Sequence, residues 1–454
     1  MKAMEWPRLL SARRLGKTED QPYDPARSPF QQDFDRIIFS TPFRRLQDKT
    51  QVFPLAANDF VRTRLTHSLE ASCVGRSLGT QVGGWVCQRH GLEKFHASDF
   101  GAIVAAACAA HDIGNPPFGH SGEDVIRHWF GESKVARAVA RKLTAPQRRD
   151  IERYEGNAQG FRLLARLQWP DRRGGLQLTC ATLGAFTKYP VGSPAIAVQG
   201  AKGKRPVGRK KFGFFEADRE LFAEVAAHTG LLPLPGKAGW VRHPLVYLVE
   251  AADDICYQLI DFEDGYRLGL IGYDEIRELF ESILRETDRK IPAPPAALDT
   301  VERRRGRIGV LCATAIGGLV ESVAHAFQRE EKKILAGKLD HALTDLISAA
   351  PILRTITDIS VDRIYRSQAV VEIEAAGFEV LSGLLDTFVG AAFAPAKRGS
   401  RAEKMLEVLP PGYRSPGAPP YARLLRILDF VSGMTDSYAV SLYKKIKGIS
   451  LPGQ

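Results

Sequence analysis

The chain is poor in several things that would have settled its class at once. Its six cysteines (Cys73, Cys87, Cys108, Cys180, Cys256 and Cys312) stand at irregular spacings with no C-x-x-C pair, which argues against a zinc ribbon or a disulfide framework. Most sit in apolar stretches, where a reduced, buried cysteine is the ordinary case. There is no run of about 18 uncharged apolar residues, so a membrane span is not expected. The first residues, MKAMEWPRLLSARRLG, have no apolar stretch to serve as a signal peptide, and a cytoplasmic location is the default expectation. Alternating strand patterns are scarce. The signatures G-x-S-x-G and H-E-x-x-H are missing. LGKT at Leu15–Thr18 resembles the end of a phosphate loop, but Ser11 stands where its first glycine belongs and no strand precedes it.

What is present describes a large soluble chain. Its 454 residues, 44% hydrophobic and 25% charged, suffice for one extended domain with appendages. Lys plus Arg (63) exceed Asp plus Glu (52), a net +11 that favours polyanionic partners, either nucleic acid or phosphorylated small molecules. The excess gathers at Lys202–Lys211, Arg303–Arg307 and Lys444–Lys447, each of which is ordinarily a solvated face. Apolar residues at three- and four-residue steps predict helices over Phe60–Arg89, His96–His111, Arg153–Gln168, Glu216–Thr229, His243–Phe262, Tyr273–Glu286, Gly306–Ile334, His341–Tyr365 and Glu372–Phe388. Lys210–Phe215 reads as a short strand or an aromatic loop. The fold class is therefore all-α. Breaks at the basic stretch 190–213, at Lys290–Leu298 and at Pro395–Pro420 suggest an N-terminal arm with a lead-in helix (1–59), a catalytic core (60–288) and a C-terminal helical scaffold or assembly region (289–454).

Chemistry concentrates at His111-Asp112, in AHDIGNPPFGHSGE, with His67 upstream in RTRLTHSLE. Adjacent imidazole and carboxylate suit a borderline or hard divalent cation. A lone inward histidine is usually a satisfied core residue; joined to His111-Asp112 and one more carboxylate, His67 completes a ligand set. That carboxylate would come from the apolar helix HPLVYLVEAADDICYQLIDFEDG, where an unpaired acid is costly; Asp253 is the obvious donor and Asp254 its competitor. Nitrogen and oxygen ligands without thiolate point to Mn²⁺, Fe²⁺, Co²⁺, Zn²⁺ or Mg²⁺. His120 and Glu123, at i and i+3, can work as an oriented general acid or base, where an exposed pair would otherwise be worth little. Tyr257 and Asp261 share a helix face with Asp253 and could grip a sugar ring and a hydroxyl. Arg62 and Arg64 could offset phosphate charge.

These stretches, together with FRRLQDKTQVFPL, YEGNAQGFRLL, FTKYP, KKFGFF, VVEIEAAGFEVLSGLL and DFVSGMTDSYAV, resemble the HD-domain deoxynucleoside triphosphate triphosphohydrolases, the bacterial dGTPase-like family. The resemblance runs from about Phe43 to Val440. It implies an HD-domain helical bundle with additional C-terminal helices, one divalent metal on His67, His111, Asp112 and Asp253, and an additional Mg²⁺ accompanying the triphosphate. It implies a catalytic role for His120 and Glu123. Arg64, Lys188, Tyr189 and Lys211 would contact the triphosphate, while Gln51, Tyr257 and Asp261 would sit at the sugar, with Tyr257 leaving no room for a 2′-hydroxyl. Asn115 stands where some relatives carry histidine. The implied reaction is dNTP + H₂O to deoxynucleoside and triphosphate, dGTP being among the expected substrates. The implied assembly is a homo-oligomer, a hexamer ahead of a tetramer, with single-stranded DNA or a dNTP acting as effector in some members. Two competing readings are another HD phosphohydrolase, acting on nucleoside monophosphates or signalling nucleotides, and a single-stranded-DNA-binding or dNTP-sensing protein. Released tripolyphosphate separates the first from the dNTPase reading, and salt-dependent oligonucleotide binding tests the second.

Overall fold

The computed structural model describes residues 3–19, 24, 26–52, 62–196, 207–237, 239–294, 300–395, 397–414 and 416–450. Part of the basic stretch (197–206), part of the proline-rich break (295–299) and the end of the FRRLQDKTQVFPL motif (53–55) lie outside the described residues. Among the described residues there is no strand or sheet, only isolated bridges such as Thr50 with Thr63, and helices account for the architecture.

The centre is a pair of helices, α2 (Arg64–His90) and α3 (Ala97–Ala110), preceded by α1 (Pro29–Ile38). Thr63 caps α2 in a reciprocal box with Thr66, which is why the helix starts there, and Gly91 ends it in the left-handed region at φ 62°. α3 is apolar on every side and buried on every side, as such a helix must be. Glycines on α2 bring the two backbones nearly into contact. A Cβ on Gly79 would lie 2.7 Å from the Phe100 carbonyl oxygen and 2.9 Å from the Gly101 Cα. This close crossing fixes where α3 ends, and therefore where His111 and Asp112 emerge.

α4 (Gly119–Glu132) follows the Gly-Asn-Pro-Pro-Phe turn, α5 (Gly156–Arg162) carries the YEGNAQGF stretch, and α6 (Val246–Arg267) is the long apolar helix holding both aspartates. α7 (Tyr273–Glu286) and α8 (Val301–Leu335) pack beside it. The His341–Tyr365 segment is not one helix. It divides into a 3-10 turn, α9 (Ala350–Ile359) and a π-helical stretch Ser360–Ile364, whose wide turn delivers Tyr365. Towards the C-terminal end lie α10 (Gln368–Phe393), α11 (Pro420–Ser432) and α12 (Asp436–Lys447), and shorter helices such as Cys180–Phe186 and Arg219–Thr229 fill the space between the long ones. By length and composition α8 and the Val370–Phe393 part of α10 could each cross a membrane, but 56% and 44% of their apolar windows are buried inside the protein.

Two apolar cores result. One contains α1–α3 and α6–α9, and its share of the HD run ends at Ile113. The other contains α4, α10, α11 and α12, and starts at Phe118. Residues 114–117 bridge the two, so the HD turn lies on the seam. Lys210–Phe215 is an aromatic loop, with Phe212, Phe214 and Phe215 fully buried. Arg162 of α5, buried between Asp218 at 3.2 Å and Asp429 of α11 at 2.8 Å, locks the halves together.

Candidate active site

His67 lies one turn into α2, His111 and Asp112 cap α3, and Asp253 projects from the middle of α6. Their donor atoms converge. His67 Nε2 is 3.3 Å from Asp253 Oδ1, while His111 Nε2 is 3.5 Å from both Asp253 Oδ1 and Asp112 Oδ2. The two rings meet edge to face at 5.3 Å between centroids. His111 Nδ1 lies 2.6 Å from the Cys108 carbonyl, which can only accept, so Nδ1 carries a hydrogen and Nε2 faces the cluster. Asp254 points elsewhere and accepts a hydrogen bond from the Thr344 hydroxyl at 2.8 Å. The α6 pair left open by sequence thus divides cleanly, with Asp253 inward and Asp254 on the neighbouring face.

Electrostatics suit a cation. Burial opposes ionisation of Asp112, but Arg64, His111 and His67 beside it hold its pKa well below the usual range. Burial likewise opposes ionisation of Asp253, and the charge of His111, the His67 hydrogen bond and Lys188 prevail. Burial works against charging His67 too, yet Asp253, Asp261 and Asp112 raise it to about 9. His67, His111 and Asp112 offer donor atoms within 4.8 Å of one another, and Asp253 Oδ1 lies against both rings; carboxylates and imidazoles without thiolate fit a divalent ion of nitrogen–oxygen preference.

Asn115 donates to Asp112 Oδ1 at 2.6 Å, fixing that carboxylate while Arg64 binds its other oxygen. Arg64 is buried, and a Cβ on Gly119 would lie 2.4 Å from its Nη2, so the guanidinium fills the space under the turn. Arg62 is committed to Glu70, Glu263 and Asp264 and does not face the cluster.

The turn raises His120 above this centre. Phe118 (φ 63°) and Gly119 (φ 60°) both take left-handed conformations immediately before it. His120 is 72% exposed along its side chain and places Nδ1 3.2 Å from Glu123 Oε2. Glu123 is buried and also accepts from the Gly156 amide at 2.6 Å and from Arg127 at 3.2 Å. Burial opposes its charge, but His120, Lys211 and Arg127 keep its pKa below the usual range. A second buried acid, Glu155, faces the same cations, with Arg127 at 2.9 Å and Lys211 at 3.1 Å.

Of the other expected contacts, Lys188 pairs with Glu250 at 3.3 Å and feels Asp253, while Tyr189 is buried between Lys188 and Lys211. Tyr257 stacks on Tyr365 at 5.3 Å and 13°. Tyr365 donates to Asp261 Oδ2 at 3.3 Å. Gln51 also hydrogen-bonds Asp261, whose pKa burial pushes up to about 7. Gln51 Oε1 and Asp261 Oδ1 are buried without partners, a polar edge beside a stacked aromatic pair. A cavity of about 670 Å³ bounded by Leu406, Tyr413, Arg414, Arg423 and Ile427 lies apart from all of these groups.

Comparison with known proteins fits this geometry. Residues 64–160 match the HD domain, and residues 351–445 match the phosphohydrolase-associated domain. A Synechocystis sp. protein named deoxyguanosinetriphosphate triphosphohydrolase-like is 44% identical over 99% of this chain and 100% of its own length. The chain belongs to that HD-domain triphosphohydrolase-like family. A Pseudomonas aeruginosa protein of the same name is 39% identical over 99% of this chain and all of its own. A Yersinia pseudotuberculosis protein named deoxyguanosinetriphosphate triphosphohydrolase is 30% identical over 92% and 93% of the two chains. The family member described here is accordingly a hydrolase.

Glu155, Tyr365 and Asp436 were not singled out as functional in the sequence. Asp436, the first residue of α12, accepts from the Phe118 amide at 2.9 Å and from the Thr50 amide and hydroxyl at 2.9 and 2.6 Å. It joins the His120 turn to the Gln51 segment. Lys49, buried and lowered by that burial to about 7, donates to the Asn115 and Ser432 carbonyls and supports the same turn.

Proposed function

We propose that this enzyme hydrolyses deoxynucleoside triphosphates to the deoxynucleoside and inorganic triphosphate, water replacing the 5′ oxygen at the α-phosphorus. The observation carrying this reading is the meeting of the four-ligand cluster, an oriented histidine and a ring of cations on one seam. A bound divalent ion would lower the pKa of a coordinated water and polarise an α-phosphate oxygen. His67, His111, Asp112 and Asp253 would hold it, with Mn²⁺, Mg²⁺, Fe²⁺, Co²⁺ and Zn²⁺ all compatible with the donor set.

The protein's own groups account for the remainder. With Nδ1 committed to Glu123, His120 presents Nε2 outward, where it hands a proton to the departing 5′ oxygen. Arg64, Lys188 and Lys211 each rest on a carboxylate and become triphosphate ligands. Tyr257, stacked on Tyr365, forms the sugar platform. Asp261, behind it, orients Gln51 and Tyr365, whose polar atoms read the 3′-hydroxyl. A cytoplasmic homo-oligomer, hexameric in preference to tetrameric, and an effector site for dNTP or single-stranded DNA belong to the same reading. A panel of four dNTPs with Mg²⁺, Mn²⁺ and Co²⁺, resolved by chromatography, tests it. Tripolyphosphate should be released, whereas orthophosphate or pyrophosphate would assign the site to another phosphohydrolase reaction. His120→Ala should abolish turnover while metal and dNTP binding persist, and near-normal kcat in that variant would remove His120 from the chemistry.

A further inference from the structure

Glu123 and Glu155 form a second acidic pair, apart from the metal ligands and buried to 2% and 4% side-chain exposure. Two cations neutralise it. Arg127 from α4 lies 3.2 Å from Glu123 and 2.9 Å from Glu155, while Lys211 from the aromatic loop lies 3.7 Å and 3.1 Å from them. The other groups facing the pair are His120 from α4, on Glu123, and Asn157 from α5, 3.3 Å from Glu155. The two cations differ in freedom. Arg127 is pinned by further bonds to the Tyr154 carbonyl and to Asp124, whereas Lys211 pairs with the two acids alone among the described residues, hangs from a loop and keeps a third of its side chain exposed.

We propose that Lys211 leaves the acidic pair for the incoming polyphosphate and that Glu155 takes up a proton in its place, making nucleotide binding proton-coupled. With Lys211 in place the buried pair has two negative and two positive charges. With Lys211 withdrawn one negative charge is uncompensated in a dry site, and a buried carboxyl group then holds a proton rather than its charge. The proton goes to Glu155 because Glu123 keeps three other donors, namely His120, Arg127 and the Gly156 amide. Burial and neighbouring Glu123 already raise Glu155 above the ordinary carboxylate range. No bond is made or broken except to this proton, which comes from solvent. Glu155 acts as a positioning residue: neutralised, it no longer competes with Glu123 for Arg127, and Glu123 stays ionised against His120.

The inference rests on the dNTP reading, and calorimetry separates the two. The Mn²⁺-loaded enzyme would be titrated with 5′-methylene analogues of the four dNTPs, which cannot be cleaved at that bond, at mildly alkaline pH in buffers of different ionisation enthalpy. The wild type should take up about one proton per site. Glu155→Gln should bind with the uptake lost. Lys211→Met should also lose it, because its Glu155 is already protonated before ligand arrives. Thermal melts establish that both variants are folded. Uptake that persists undiminished in Glu155→Gln, or binding without uptake in the wild type, overturns the proton coupling and leaves the substrate reading intact. Failure of the wild type to bind any analogue overturns the substrate reading itself, and this inference with it.

Discussion

Asp436→Asn tests whether the C-terminal helix α12 holds the His120 turn in place. The Asp436 carboxylate accepts three hydrogen bonds at 2.6–2.9 Å, one from the Phe118 amide and two from Thr50. Asparagine has the same shape but only one oxygen, so its amide nitrogen must face either the Phe118 or the Thr50 N–H, a donor against a donor. Hydrogen bonds to a charged group are worth about 1.5–3 kcal/mol each, and a stranded buried donor costs about 1–3 kcal/mol. A loss of about 3 kcal/mol in unfolding free energy follows. The functional loss should exceed what destabilisation alone explains. Phe118 is held at φ 63°, a conformation a non-glycine residue avoids by about 1–2 kcal/mol, and the Asp436 bond is what secures it. Released, Phe118 relaxes and carries His120 with it, and a displacement of about 1 Å at a reacting group lowers kcat by up to about a hundredfold. Urea unfolding, steady-state dNTP hydrolysis and calorimetric metal titration read the three quantities. Metal affinity should hold, since no metal ligand touches Asp436. Ser437→Ala, one residue on and with its hydroxyl on Asp48 at 2.9 Å on the surface, should be nearly silent. A folded Asp436→Asn enzyme with wild-type kcat would refute the reasoning.

Three further outcomes follow from other contacts. Gly79→Ala, whose Cβ would press on the Phe100 carbonyl, should cost at least about 2 kcal/mol in chemical unfolding, whereas Gly84→Ala, with 3.8 Å to its nearest neighbour, should be neutral or stabilise by a few tenths; equal effects would remove the close crossing. His243 is buried and neutral, with Nε2 donating to the Leu9 carbonyl and Nδ1 accepting from the Leu245 amide; burial lowers it from 6.5 to about 4. Its unfolded form binds the proton first, so stability falls with pH across that window. By equilibrium unfolding, the wild type should lose about 3 kcal/mol more than His243→Gln between those limits, and parallel pH profiles would count against it. Tyr365→Phe removes the bond to Asp261 but keeps the stacked ring, so dNTP affinity should fall by about five- to tenfold with metal binding unchanged; an unaltered KM would place Tyr365 outside the site.

What could be read in the sequence followed local rules. The long helices α2, α6 and α7 are legible from apolar residues at three- and four-residue steps, and α3 from an unbroken apolar run. The lead-in helix expected within residues 1–59 has no bounds from periodicity, although Ser28 and Gln31 form a capping box around Pro29 that marks the start of α1, a signal of the standard kind. α4 was obscured because its opening residues, Gly-His-Ser-Gly, are turn formers. Residues His341–Tyr365 look continuous, yet a π-helical stretch interrupts them, and its wide turn leaves the apolar spacing almost unchanged. Asp253 and Asp254 could not be told apart on α6, because adjacent helical residues point about 100° apart and only the position of His67 shows which one faces inward.

The site divides along the same line. His111, Asp112, His120 and Glu123 can be singled out from sequence because a helix end and a tight turn place them within one short stretch, and His67 joins them only as the inward histidine that completes a ligand set. Tyr365, Glu155 and Asp436 carry no local signal: an aromatic residue, a glutamate before a glycine and an aspartate after a threonine cap are common everywhere. Each acts through a partner far along the chain, Tyr365 on Asp261 across 104 residues and Asp436 on Phe118 across 318. The cations show the same limit in another form. Sequence marks Arg64, Lys188 and Lys211 as positive, but not that each already rests on a carboxylate. On the proposed reading a phosphate competes with Asp112, Glu250 or Glu155 for its cation, and the acid left behind is neutralised by another charge or by a proton. Substrate affinity should then follow the exchange of partners as much as the number of positive charges.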